Sequence, residues 1–316
     1  MLLVTTGCGL LGGGTSGSPG DAAAGLEQTR IKVGAMPIID YAPMHLAIRN
    51  GYFRDEGLDV ETVNIAGGET SVTGLVSGEL DVTFGNWMSF FAAQAKGVAD
   101  LRLVADGYQS RPHNFVVVVP QGSAISRPED LAGKKIAVTI RGAITELLAK
   151  AALDANSVQQ SGVSYVEVPF PAMPAALKAR QVDAAVMVEP FITHAERSIG
   201  ALPVLDVAQG ATADFPISGY ATTAALVRDK PKTVAAFRRA LLRGQREAAD
   251  RAKVEQVLPT FAKIDKATAS LVHLGSFPTR LDAVRIQRVA DLMAVHGLLP
   301  RPLRVDAMVM ENLPGS

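Results

Sequence analysis

Cysteine is almost missing from this chain of 316 residues, which carries only Cys8. A single thiol excludes intramolecular disulfides, thiolate metal clusters and Cys–Cys redox pairs together. Net charge is missing too: 31 Lys and Arg balance 31 Asp and Glu, so no global basic field draws the chain onto nucleic acid. No stretch approaches the roughly 18 uninterrupted apolar residues of a spanning helix. The histidines, His45, His113, His194, His273 and His296, never fall in an H-x-x-x-H pattern, so neither zinc catalysis nor a metal site is expected. No G-x-S-x-G, phosphate loop or dinucleotide glycine fingerprint stands between a strand and a helix. No enzyme and no cofactor is therefore expected. What is present, 48% apolar and 20% charged residues, is the composition of a folded globular body.

From Ile31 onward, strand-like and helix-like patterns alternate. Apolar runs at Ile31 to Ala35, Leu58 to Ile65, Asp81 to Phe84 and Leu101 to Ala105 are separated by helical stretches, as in repeated βα units with a mostly parallel sheet. In one such helix Pro43 suits the first turn, Leu46, Ala47 and Ile48 form an apolar side, and Gly51 fits a left-handed end. Phe115 to Val119 is continuously apolar and ends at Pro120, which predicts a buried connecting strand and a first hinge at Asn114. A second set of units, opened by the capping-box spacing Ser126-Arg127-Pro128-Glu129, has strands at Lys135 to Thr139, Val163 to Val168, Asp183 to Val188 and Leu202 to Asp206. Ile217 to Val227 reads as an extended return crossing. Beyond Asp229 the chain reads as helical, with Pro231 as a starter and Val234, Phe237 and Leu241 at helical spacing. The expectation is an α/β protein of two lobes, residues 31–115 with 219–316 and residues 116–218. Each lobe is a mostly parallel sheet flanked by helices, and two hinge crossings join them.

Four stretches resemble a known family. PMHLAIRNGYFRDEGLDV (Pro43 to Val60), LVSGELDVTFG (Leu75 to Gly85), EDLAGKKIAV (Glu129 to Val138) and ARQVDAAVMVEPF (Ala179 to Phe191) are similar, in order, to landmarks of ABC-transporter solute-binding proteins of the nitrate, sulfonate, taurine and thiamine-pyrimidine group. The resemblance implies a periplasmic-binding-protein-like, hinge-closing monomer that delivers a small solute to the permease and ATPase subunits of an importer. The start of the chain resembles a bacterial lipoprotein signal: Met1 to Val4 are apolar, Thr5, Thr6 and Gly7 are small, and Cys8 opens a Gly/Ser/Thr-rich tether through residue 30. The resemblance implies diacylation of Cys8 and anchorage to the outer face of the cytoplasmic membrane, or a periplasmic location. Thr5 stands where such signals usually carry Leu, and no Lys or Arg precedes Cys8, as if the start were placed too late.

In open α/β sheets a ligand binds beyond the carboxyl ends of the strands. That places Pro37, Asp40 and Tyr41 after the first strand, and Gly68, Glu69, Thr70 and Ser71 after the second. Asn86 and Trp87 follow the third strand, Thr139, Arg141, Gly142 and Ala143 open the second lobe, and Glu189 ends a later strand. Gly68 to Ser71 could offer backbone N–H groups and hydroxyls to an oxygen, or simply cap their helix. Trp87 and Tyr41 could stack on a planar solute, or pack in the core with Phe90 and Phe91. Arg141 could fork onto a carboxylate, sulfonate or nitrate, stand in solvent, or pair with Glu146. Glu189 could accept from an amine or sit in the first turn of its own helix. Asp40, Glu69 and Glu189 set against Arg141 and Arg111 favour a neutral, zwitterionic or cationic planar solute. Two other readings stay open at this point: an enzyme related to fungal thiamine-pyrimidine synthase, whose cysteine-rich iron segment this chain lacks, and a ligand-sensing module.

Overall fold

The apolar runs bounded by Gly and polar turns become ten strands in two five-stranded sheets. The structure, a computed structural model, describes residues 25–310; Cys8 and residues 1–24 lie outside the described residues, as does the side chain of Glu69. In chain order the strands are β1 (Arg30–Ala35), β2 (Asp59–Asn64), β3 (Val82–Asn86), β4 (Leu101–Gln109), β5 (Phe115–Val119), β6 (Lys135–Val138), β7 (Ser164–Glu167), β8 (Ala184–Val188), β9 (Leu202–Asp206) and β10 (Pro216–Thr223). The first sheet runs β2-β1-β3-β10-β4 and the second β7-β6-β8-β5-β9.

Each sheet has one antiparallel strand, and the connectivity explains why. β1 is parallel to β2 and β3, and β6 to β7 and β8. β10 opposes β3 and β4, while β5 opposes β8 and β9. The chain leaves β4 at the carboxyl edge of the first sheet and, after residues 110–114, enters the second at its carboxyl edge, where Phe115 pairs Val188. It returns from β9 through residues 207–215, and Pro216 pairs Gln109. A strand entering through a carboxyl edge must run against its parallel neighbours. The two carboxyl edges therefore adjoin.

Helices cover both sheets. α1 (Ala42–Arg49), α2 (Tyr52–Asp55), α3 (Gly68–Ser77) and α4 (Trp87–Ala95) belong to the first; α5 (Ile144–Ala155), α6 (Met173–Lys178) and α7 (Phe191–Ile199) belong to the second. α1 has proline in its first turn, and Gly51 takes the left-handed conformation just past its end (φ 76°), where a Cβ is unfavourable. The sequence pattern carried the return strand to Val227, but it stops at Thr223. Thr223 Oγ1 accepts from Leu226 N at 3.1 Å and caps α8 (Ala224–Asp229). β4 runs four residues past the expected Ala105, to Gln109, so the first crossing is the short segment 110–114 that ends at the expected Asn114.

The chain then forms α9 (Pro231–Glu247), α10 (Arg251–Val257), α11 (Lys266–Leu271) and α12 (Ala283–Val295). These helices are not confined to the first lobe. α9 packs on α1 and α2, whereas α12 touches both α4 and α5, and α11 meets α7. Arg197 on α7 donates to Thr268 Oγ1 of α11 at 2.5 Å. One apolar cluster accordingly includes Trp87, Phe90 and Phe91 of the first lobe, Leu147 and Val186 of the second, and Ile286 and Val289 of α12. No helix among the described residues is long and apolar enough to cross a membrane.

Candidate functional site

The adjoining carboxyl edges bring the expected loops together. Asp40 sits in a 3-10 turn, Ile39–Tyr41, directly after β1. Its Oδ2 accepts from Ser218 Oγ at 2.8 Å. Ser218 lies on β10 opposite Asn86 at the end of β3 and Tyr108 near the end of β4, so the pair stands at the crossing edge of the first sheet. Asp40 keeps 8% exposure. Burial pushes its pKa up to about 6, and the Ser218 hydrogen bond offsets only part of that rise.

The hydroxyl of Tyr108 lies between the lobes. It accepts from Asn114 Nδ2 at 3.1 Å in the first crossing and from Gly275 N at 2.5 Å. Burial raises its pKa most, and the fields of Asp40 and Glu189 raise it further, so both carboxylates lie within electrostatic reach of this phenol. Residues 272–276 form a strap here: Ser276 and Gln109 exchange backbone hydrogen bonds at 3.0 Å, and His273 N donates to Glu189 Oε1 at 3.0 Å.

The crossings are tied to one another. Phe215 N donates to Ser110 Oγ at 3.0 Å, Ser110 N donates to Phe215 O at 2.9 Å, and Arg111 pairs with Asp214 at 2.6 Å. Arg288 of α12 donates to the carbonyls of Ala211 and Ala213. Arg111 is thus engaged with a carboxylate of the protein.

The remaining candidates fall into distinct environments. Thr70 Oγ1 donates to Gly67 O at 2.8 Å and accepts from Gly67 N, and Ser71 Oγ contacts Gly67 O and Phe84 O, so both hydroxyls fix their own turn. A Cβ at Gly68 would lie 2.0 Å from Ser89 Oγ and 2.9 Å from Asn86 Nδ2, which sets the starts of α3 and α4 side by side. Asn86 Oδ1 caps α4, accepting from Ser89 N at 2.9 Å. Pro37 is exposed. In the second lobe, Thr139 Oγ1 contacts Thr145 Oγ1 at 3.1 Å, and the N–H groups of Arg141 and Gly142 donate to Glu167 and Glu146 at 2.8 Å. Ala143 precedes α5. The Arg141 side chain is exposed at the lip and does not pair with Glu146, whose carboxylate binds Lys150 at 2.5 Å.

Two placements correct the sequence reading. Trp87, expected at the cleft mouth, is fully buried: its ring lies over Gly219 and packs with Phe90 and Phe91. Tyr41 is fully buried too, against Phe84 and Tyr220. Position at a strand end did not determine direction, because the first helical turn after each strand folds these rings back onto the sheet. Glu189, buried at the start of α7, has both oxygens occupied. Oε2 accepts from Thr193 N, and Oε1 from Thr193 Oγ1 and His273 N. Burial raises its pKa, against these donors that lower it.

Sequence reasoning missed Ser218, Tyr108, Tyr220 and the strap at His273. Their only signal was the polar interruption of otherwise apolar strands. Among the described residues no group of three or more His, Cys, Asp or Glu could hold a metal ion. Two surface hollows lie elsewhere, one lined by Gln28, Arg30, Asp81 and Lys230, the other by Lys134, Lys178, Arg180 and Asp183. Both are at the amino ends of the parallel strands, away from the edge where loops and helix starts converge.

Known proteins share this architecture. The periplasmic aliphatic sulphonate binding protein SsuA of Escherichia coli superposes with a TM-score of 0.75 at 18% identity, covering 91% of this chain and 99% of that one. The periplasmic nitrate-binding protein NrtA of Synechocystis PCC 6803 gives 0.72 at 17% identity, over 91% and 88%. At such identities the likeness is one of fold, here the two-lobed periplasmic-binding-protein fold. A putative ABC transporter periplasmic binding protein of Brachyspira hyodysenteriae is 29% identical over 211 residues, 61% of this chain and 58% of that protein. The chain spans less than two thirds of the length of the curated relatives it matches. Its agreement with the family described as NMT1/THI5 like runs from residue 38 to 253, most of the folded body, and the chain belongs to that family.

Proposed function

We propose that this protein is an extracytoplasmic solute-binding protein of an ABC importer. A small organic solute enters between the carboxyl edges of the two sheets, the lobes close by a hinge movement at the two crossings, and the loaded protein passes its cargo to separate permease and ATPase subunits. The observation that carries this reading is the adjoining of the two carboxyl edges at residues 110–114 and 207–215, since hinge closure around a ligand requires that placement. The periplasmic binding protein of Brachyspira hyodysenteriae supports it by relationship, and the sulphonate- and nitrate-binding proteins support it by fold. In this reading Cys8 carries a diacyl anchor, the protein acts as a monomer, and it performs no catalysis.

The test is X-ray scattering with and without ligand, after a thermal-shift screen of sulfonates, nitrate, bicarbonate, aminopyrimidines, thiamine, flavins and aromatic acids. A ligand at a hundred times its dissociation constant adds about 2.7 kcal/mol, enough to raise the melting temperature by several degrees. Saturation should then reduce the radius of gyration. An unchanged scattering profile at saturation overturns the hinge; no binding by any small molecule, even after unfolding and refolding, overturns the transport reading.

A further inference from the structure

Asp40 is a buried carboxylate without a cation. Its donors are the neutral hydroxyl of Ser218 at 2.8 Å and its own backbone N–H, and no Lys, Arg or His forms an ion pair with it among the described residues. A charge withdrawn from water is costly unless something of opposite sign or several donors meet it. Glu189, by contrast, has three protein donors on its two oxygens.

The surroundings sharpen the difference. The hydroxyls of Tyr41 and Tyr220 are buried and have no hydrogen-bond partner. The Asp40 carboxylate and the Tyr41 phenol both act electrostatically on Tyr220, so the three groups form one polar nest. Tyr41 directly follows Asp40, and Tyr220 lies two residues beyond Ser218 on β10. Asp40 and Ser218 stand at the carboxyl edge, where Asp40 retains slight exposure and Ser218 pairs with the last residue of β3, and the two phenols lie fully buried behind them. The two cations that the sequence offered for an anion are placed otherwise: Arg111 is paired with Asp214, and Arg141 stands exposed on the opposite lobe.

Resting on the solute-binding reading above, we infer that Asp40, with Ser218, is the specificity-determining residue of the cleft. It selects solutes that present a protonated or amidine-type nitrogen over the sulfonates and nitrate bound by proteins of the same fold. The ligand nitrogen donates to the carboxylate and supplies the missing positive charge, as an N–H donor on a heterocycle or an ammonium does. A sulfonate or nitrate in the same place would set its negative charge beside a buried carboxylate.

The experiment compares shape-matched probes on the full chain by calorimetry: benzamidine against benzoate and benzenesulfonate, and 4-amino-2-methylpyrimidine against taurine and nitrate. The nitrogen donors should bind the unaltered protein, and the anions should bind at least about tenfold more weakly. Asp40→Asn, which keeps the acceptor for Ser218, should lose at least about tenfold in affinity for the nitrogen donors while melting no lower than the unaltered protein. A residue with a purely structural role would lower the melting temperature and leave the ranking of probes unchanged. The wild-type ranking needs no variant, so it decides the matter even if Asp40→Asn fails to fold. Preferential binding of an anion, or nitrogen-donor affinity unchanged in Asp40→Asn, overturns this assignment and leaves the solute-binding reading standing. If no probe of either kind binds and denatured protein releases no copurified small molecule, both fall together.

Discussion

Glu189 Oε1 accepts the backbone N–H of His273 at 3.0 Å, which ties the end of β8 in the second sheet to the strap that pairs with Gln109 in the first. This tie joins the two sheets beside the crossings, in addition to the packing of α12 on α4 and α5 and the Arg197–Thr268 contact, and it is made of hydrogen bonds that a hinge movement can break or keep. Its donors and acceptor come from segments more than 80 residues apart in the chain.

Weakening that tie should loosen the hinge. Glu189→Gln keeps the size of the side chain but removes its charge, and hydrogen bonds to charged groups are about twice as strong as neutral ones. We expect a larger radius of gyration for the unliganded variant, with faster amide exchange at His273 and Thr193 than elsewhere. Scattering and hydrogen exchange identical to the unaltered protein would show that the strap does not hold the lobes.

Among the described residues Asp106 on β4 and Arg285 on α12 form the most deeply buried ion pair, with Asp106 wholly inaccessible. Burial lowers the pKa of the arginine, and Arg285 Nη1 also donates to Gln109 Oε1 at 3.1 Å. Removing one partner of such a pair strands the other charge in the interior, at a cost of about 3–5 kcal/mol. Asp106→Asn should lower stability by that order in urea denaturation, whereas Asp106→Leu with Arg285→Met should recover most of the loss. Equal losses in the single and double variants would mean that α12 is held by packing alone.

Gly219 lies under the indole of Trp87. A Cβ there would come within 2.1 Å of Cη2 and 2.8 Å of the Ala105 carbonyl. The indole is closely packed and the carbonyl is backbone, so neither gives way cheaply. Gly219→Ala should destabilise by at least about 1–3 kcal/mol, the usual range for overpacking, and Trp87→Phe in the same chain should restore part of it. The intrinsic fluorescence of Trp87, the one tryptophan in the sequence, reports both.

These contacts show what the sequence could convey. Strand positions were legible because period and turn residues are local: Phe115 to Val119 was placed in full, and the helix before Gly51 ended where glycine allowed. The loops at the carboxyl edge followed from strand order alone. Which way Trp87 or Tyr41 points was not legible, since it depends on Gly219 and Tyr220, more than 130 residues away. Whether Glu189 is free or satisfied rests on His273, a backbone donor that no side-chain pattern marks. The helix start at Ala224 was missed because Ala-Ala-Leu-Val suits both extended and helical backbone, and the cap at Thr223 decided it.

Asp40 makes stability depend on pH in an unusual direction. Its folded-state pKa of about 6 stands above the ordinary 3.8, so the folded protein holds this proton more tightly than the unfolded chain does. Its contribution is therefore least unfavourable below pH 4, becomes more unfavourable as pH rises from about 4 to 6, and stays so above that range. That rise in pKa corresponds to a penalty on the order of 3 kcal/mol at neutral pH. Asp40→Asn should remove it. Comparing the variant with the unaltered protein cancels the surface carboxylates, such as the half-buried Asp130 and the exposed Asp265, whose lowered pKa values give the opposite slope. We expect the variant to be the more stable at pH 7.5, with the gain shrinking through pH 6 and gone by pH 4, as read from urea midpoints at each pH. A gain that does not change with pH would mean that Asp40 holds its proton equally well in the folded and the unfolded chain. A gain that follows pH as described, accompanied by lost binding of nitrogen donors, would place at Asp40 a conflict between stability and ligand capture: the charge that weakens the empty fold is the one the solute neutralises.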